Sequence, residues 1–353
     1  MNFLKKIAKL IAITFITVIA SVFIFTIIIK RIPAEKYNQL DQTDKEMFDE
    51  LTVQYKIFNQ SPDHLWTSAY HYDKEPLILI RSDKNKSIWN YIYLINASKL
   101  IDTTKYKKIH FPNNPYLTDV YATTSLGLTS LEYWFPSAFT YTTLDNKQVL
   151  AFKYYPELFK KEFTFPDFKY FSMHEAFHLY AQKNWLYDHN SKDYIANYPY
   201  TKEHFNLLDK EYALLDKGLK TTDPEQLDIV MKQWVEIRNI RYKKWPQLLG
   251  ETYSEAIEGT ARYLEYKYSD MINEPRYFIT NNNGDIISFT QGLQLIQKNP
   301  ESYSFLERNA SYDKGAALGY ILDRLDPLWK NKIEDSTNHK GLTQYQILKS
   351  RYF

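Results

Sequence analysis

His174, Glu175 and His178 stand in the order His-Glu-Ala-Phe-His, and that spacing has a chemical meaning. On a helix, residues four apart lie one above the other, so two imidazoles can converge on one metal ion. Glu175 follows the first histidine and sits beside that face, close enough to take a proton from an attacking water. Met173, Ala176, Phe177 and Leu179 are apolar, as a helix buried in a domain requires. A helix carrying one core and one surface histidine is the plainer explanation of the same pattern. Two histidines rarely hold zinc alone, so a third protein ligand is expected from elsewhere, with one position left open for water. The candidates lie in residues 253–263, where Glu255 and Glu258 are three apart and share a helical face, with Glu251 just before them. Two like charges on one buried face repel unless something positive lies between them, and a zinc ion would supply that. A solvated acidic face, with Glu258 paired to Arg262 four residues on, accounts for the same residues. On residue pattern alone, Glu255 and Glu258 stay alternatives.

These residues need elements to carry them. Between about 75 and 155 the hydrophobic period shifts toward two, and residues 76–81, 88–95 and 149–155 are predicted strands. After Pro166 the pattern turns helical. The spacing predicts helices over 167–185, which carries the histidines, and over 203–219, 225–244, 249–268 and 311–325. Asn281-Asn-Asn-Gly-Asp285 is a hairpin signal between 277–280 and 286–289. Residues 32–60 are polar with helical spacing at Tyr37, Leu40, Phe48 and Leu51, and read as a stalk or a docking helix. A strand-rich part over about 60–165 followed by a helical part over 166–353 gives an α+β fold class.

Two further motifs carry a resemblance. Glu258-Gly259-Thr260-Ala261 resembles the E-G-x-A ligand motif of gluzincin zinc metallopeptidases, a group that includes the aminopeptidase N-like family. Tyr312-Asp313-Lys314-Gly315-Ala316 is similar to the Y-x-K-G-A motif of the same family, and the order of the three motifs is preserved. The resemblance implies a zincin-like domain over residues 32–353. It implies one Zn²⁺ held by His174, His178 and Glu258, with Glu175 as general base and Tyr312 as donor to the oxyanion. Gly259 beside the ligand would let the ligand helix approach the histidine helix. Glu255 is a candidate partner for the second nitrogen of a ligating histidine. Gln182, four residues after His178, is a candidate to orient the helix or the substrate, with a surface position the plainer expectation. Three departures stand out. From His178 to Glu258 is 80 residues (258 − 178), so the helices over 203–244 look inserted. Arg262 stands where some gluzincins place an acid. The G-x-M-E-N motif that helps bind a free α-amino group has only a poor counterpart at residues 127–132, so aminopeptidase activity is not implied.

The rest of the chain sets limits. A net charge of +2 gives no nucleic-acid footprint, and there is no phosphate-cradling P-loop. With no cysteine, histidine and carboxylate are the strong metal ligands available, and other divalent ions would fit them besides zinc. The 31 Tyr and 21 Phe fill cores before they line grooves. Residues 10–29 carry no charge, with Lys5, Lys6 and Lys9 before them and Lys30 and Arg31 after. Twenty such residues span a bilayer core of about 30 Å. Residues 1–31 are therefore expected to be an uncleaved signal-anchor helix, with a cleaved signal peptide as the alternative. The short cationic N-terminus points inward, leaving the larger part outside the cytoplasm. The expected function is membrane-anchored, zinc-dependent hydrolysis of a peptide or protein substrate. The alternatives are an inactive gluzincin-like membrane protein that binds a peptide or cell-envelope partner, and zinc-dependent hydrolysis of another bond.

Overall fold

The computed structural model describes residues 6–7, 11–21, 35–81, 92–123, 128, 138–154, 167–187, 195–274, 278–281, 283–335 and 338–353. The chain divides into two compact units. One comprises residues 1–52 and 76–165, the other residues 53–75 and 166–353.

The first unit holds a six-stranded sheet in the order β3-β4-β2-β1-β6-β5. Its strands are β1 (Leu77–Arg81), β2 (Ile92–Ile95), β3 (Lys107–Lys108), β4 (Val120–Thr123), β5 (Phe139–Leu144) and β6 (Lys147–Tyr154). The central strands β1 and β2 are apolar on both faces, as strands covered on both sides require. β1 runs parallel to β6 and antiparallel to β2. Asp145 and Asn146 close the β5–β6 hairpin with φ of 42° and 63°, the left-handed pair that a two-residue turn needs. One side of the sheet packs a core around Ile78, Ile80, Ile92, Leu94, Val149 and Ala151.

Helix α1 (Gln42–Gln60) passes from the first unit into the second. Of the two expectations for this segment, burial speaks against a solvated stalk, because Met47, Phe48, Leu51, Tyr55 and Phe58 are all fully buried. Polar residues alternate with them, most of them exposed, though Asp44 and Gln54 are buried as well, and that mixture is what gave the segment its polar look.

The second unit is helical. It contains α2 (Phe168–Ala176), α3 (Lys202–Lys220), α4 (Pro224–Lys244), α5 (Gly250–Met271), α6 (Phe289–Lys298), α7 (Ala310–Leu325) and α8 (Gln344–Tyr352). Local signals explain where several begin. Asp167 caps α2 by accepting from Lys169 N, Thr201 caps α3, and Asp223 caps α4 with Pro224 in its first turn. Between 278 and 289 the hairpin shrinks to one antiparallel bridge, Thr280 to Ile286, among the described residues. An aromatic cluster forms the core beneath the histidine helix. Trp66 meets Phe177 and Trp329 edge-on, at centroid distances of 4.9 and 5.4 Å.

Of the expected apolar span at 10–29, residues 11–21 are helical, and Ile11, Phe15 and Ile16 among them are exposed. Residues 10 and 22–29 lie outside the described residues. No described helix is long and apolar enough to cross a membrane.

Candidate metal centre

α2 delivers His174 in its last turn, and the helix then widens into a π turn over Phe177–Ala181 that carries His178. Such one-turn π segments recur at functional sites because they re-aim side chains within a helix. The two imidazoles stand with centroids 4.7 Å apart and planes at 79°. α5 runs alongside and places Glu258 between them. Glu258 Oε2 lies 3.4 Å from His174 Nε2 and 3.3 Å from His178 Nε2. These separations match the edge of a tetrahedron around zinc, roughly 3.3–3.4 Å for metal–ligand bonds of about 2.0–2.1 Å.

The opposite ring nitrogens are already committed. His174 Nδ1 lies 2.8 Å from Glu265 Oε1, and His178 Nδ1 lies 2.6 Å from Gln182 Oε1. An acceptor on each Nδ1 fixes the tautomer that leaves Nε2 as a lone-pair donor, the arrangement ligating histidines use. Neither acceptor was expected. Gln182 is buried, not at the surface, and its amide donates at 2.8 Å to both Ile257 O and Thr260 Oγ1. Glu265 is buried too and accepts from Arg262 Nη1 at 2.7 Å. Arg262 therefore pairs with Glu265 and not with Glu258. The cation on Glu258 is Arg308, whose Nη2 donates to Oε1 at 2.9 Å.

Glu175 is buried, and the ligand atoms of His174, Glu175 and His178 lie within 4.8 Å of one another. That trio could be read as the ligand set. Glu258 fits better as the third ligand, because one of its oxygens touches both Nε2 atoms at tetrahedral-edge distance. Glu175, whose carboxylate lies within 4.8 Å of the histidine nitrogens, would then serve as the base. Tyr312 arrives from α7. Its ring lies nearly parallel to that of His174, 6.1 Å away, and its hydroxyl donates to Glu258. Burial first, then the Glu258 charge, pushes the Tyr312 phenol well up. Burial alone would lower the His174 pKa, but the contacts with Glu258 and Glu265 outweigh it and raise it to about 9. Burial alone would raise that of Glu258, yet the two imidazoles hold it far below the usual carboxylate range. Both shifts come from the close approach of two imidazoles and one carboxylate.

Glu255 has another role. Arg238 Nη1 and Nη2 clamp its two oxygens at 2.5 Å each, and Lys314 Nζ lies 3.3 Å away. Its charge is spent there, so it supports neither histidine. Arg238 also donates to Glu211 at 2.7 Å, and Arg241 bonds Glu211 and Glu251. Three carboxylates, Glu211, Glu251 and Glu255, thus meet three cations, Arg238, Arg241 and Lys314, all but fully buried. The positive charge required between close carboxylates is real, but at Glu255 it is guanidinium and ammonium.

Gly259 also faces another way than expected. A Cβ there would come 2.5 Å from Gly315 Cα, so this glycine admits α7 rather than α2. Gly315 in turn leaves room for the Glu255 carbonyl. The two glycines let α5 and α7 touch backbone to backbone, which brings Tyr312 to Glu258 one turn away. Residues 127–132, apart from Leu128, lie outside the described residues.

No family model, curated protein or solved structure matches the chain.

Proposed function

We propose that this chain is a zinc-dependent hydrolase that cleaves peptide bonds, held at a membrane by residues 10–29, with the larger part outside the cytoplasm. One observation carries the proposal. A single carboxylate oxygen, Glu258 Oε2, faces both His174 Nε2 and His178 Nε2 at 3.3–3.4 Å, while both Nδ1 atoms have acceptors. A zincin-like fold and a gluzincin ancestry remain part of the proposal, resting on the three motifs.

Zinc held by His174, His178 and Glu258 would supply Lewis acidity, acidifying water and polarising the scissile carbonyl. Glu175 takes the proton of the attacking water on its carboxylate and passes it to the leaving amine nitrogen. The Tyr312 hydroxyl turns from Glu258 to donate to the oxygen that gains charge as the carbonyl carbon becomes tetrahedral. Glu265 and Gln182 keep both imidazoles oriented throughout. The buried aromatic floor under α2 keeps the histidine helix rigid, as positioning to a fraction of an ångström requires.

The test is Glu175→Gln in the full chain, assayed against a broad peptide mixture. Zinc should stay bound while turnover falls by a factor of about 10²–10⁴ or more, the usual worth of a general base. Undiminished cleavage by the variant would refute the assigned chemistry. Zinc-loaded wild-type protein that cleaves no peptide would favour a binding role or a different scissile bond.

A further inference from the structure

We infer that Arg308 is a positioning residue of the candidate metal centre: it fixes Glu258 so that only Oε2 faces the ion, and it holds the Tyr312 ring in place. The inference rests on the metal reading proposed above. A carboxylate can meet a metal through one oxygen or both, and rotation about its last bond exchanges them. Arg308 Nη2 donates to Oε1 at 2.9 Å. That bond leaves Oε2 as the oxygen presented to His174 Nε2 and His178 Nε2.

The same guanidinium lies 5.3 Å from the centroid of the Tyr312 ring. Arg262 lies 5.7 Å from that centroid, so two cations attract one aromatic face system and limit its rotation. Each arginine also braces one acid of the centre, Arg308 on Glu258 and Arg262 on Glu265. Placement in the chain supports a built arrangement. Arg308 ends the 3₁₀ stretch Pro300–Glu307, and its carbonyl accepts from Ser311 N at 2.9 Å as α7 begins. It stands one helical turn before Tyr312, so one short segment delivers both side chains. A cation near a dication costs some Coulomb energy. Against it stands the order imposed on the ligand oxygen, and outer partners of ligands commonly contribute 10–100-fold in affinity.

The experiment uses the full chain in detergent, with Arg308→Met, which keeps the apolar stem, and Arg308→Lys, which keeps charge and one donor. Zinc affinity is read by chelator competition, and the visible spectrum of the cobalt-loaded protein reports coordination number. Arg308→Met should bind zinc about 10–100-fold more weakly. Its cobalt bands should weaken as the freed Glu258 takes the ion with both oxygens, and Arg308→Lys should recover part of both losses. If Arg308→Met does not fold, Arg308→Lys decides, with weakened zinc binding expected. Wild-type affinity with wild-type cobalt bands in the folded variants would overturn the inference. Wild-type protein that binds neither ion would overturn the metal reading itself, a distinct result.

Discussion

At the residue scale, the spacing of the pentapeptide announced that its two imidazoles would meet, whereas their supports were not legible. Glu265 sits 91 residues from His174 in the chain, and nothing local links the two. Gln182 is four residues from His178, but a lone glutamine on a helix reads as a surface residue until the π turn swings it inward. On the proposed metal reading, both orient a ligand. Replacing Gln182 by Ala or Glu265 by Ala should weaken zinc about 10–100-fold in chelator competition. Unchanged affinity in both would mean the Nδ1 contacts do no orienting. His204 gives a separate residue-scale expectation. Burial, then the Arg241 guanidinium, lowers its pKa from 6.5 to about 4, and its neutral ring accepts from Arg241 Nε at 3.3 Å. The unfolded ring takes a proton near pH 6.5 and the folded ring holds out to about 4. The stability this contributes is whole above pH 6.5 and is lost as pH falls toward 4. Denaturant unfolding of wild type should therefore lose on the order of 3 kcal/mol more than His204→Gln over that interval. Parallel losses would contradict the buried-neutral assignment.

At the element scale, helices were more legible than strands. The starts and ends of α3, α4, α5 and α7 fall within a few residues of those expected from periodicity, because caps such as Thr201 and Asp223 mark them. β3, β4 and β5 were not read. β3 has two residues, β4 has four, and β5 alternates weakly on a half-exposed edge. α5 misled in an instructive way. Glu251, Glu255, Glu258, Arg262 and Glu265 recur every three or four residues and look like a solvated charged face. Glu251, Glu255 and Glu265 are instead fully buried, the first two turned to α4 and Lys314, the last to His174. The glycines of the second and third motifs meet each other, a contact no single segment could announce. Gly315→Ala should cost about 1–3 kcal/mol, since a Cβ 2.7 Å from Gly259 Cα forces the helices apart. It should also lower turnover through Tyr312 with little loss of zinc. A variant as stable and active as wild type would show that the α5–α7 crossing does not set the site.

At the scale of the whole molecule, the helices between the histidines and Glu258 are structural members of the site-bearing unit rather than decoration. α3 and α4 supply Glu211, Arg238 and Arg241, which hold the back of α5 while its front carries Glu258. A buried pair broken on one side typically costs about 3–5 kcal/mol, so Glu255→Ala is expected to destabilise the unit while sparing the ligands. A mixture of sheet and helix, with the helices concentrated after residue 166, was legible from period alone. The division into two units was not, because α1 passes between them and residues 53–75 join the later helices through buried aromatics such as Trp66. The most direct measurement is metal content by elemental analysis of the full chain beside His178→Ala, Glu258→Ala and Glu255→Ala. The account predicts about one zinc per chain in wild type and in Glu255→Ala, and none in the other two. Wild-type protein without metal after zinc is supplied at neutral pH, or zinc kept by Glu258→Ala and lost from Glu255→Ala, would contradict it.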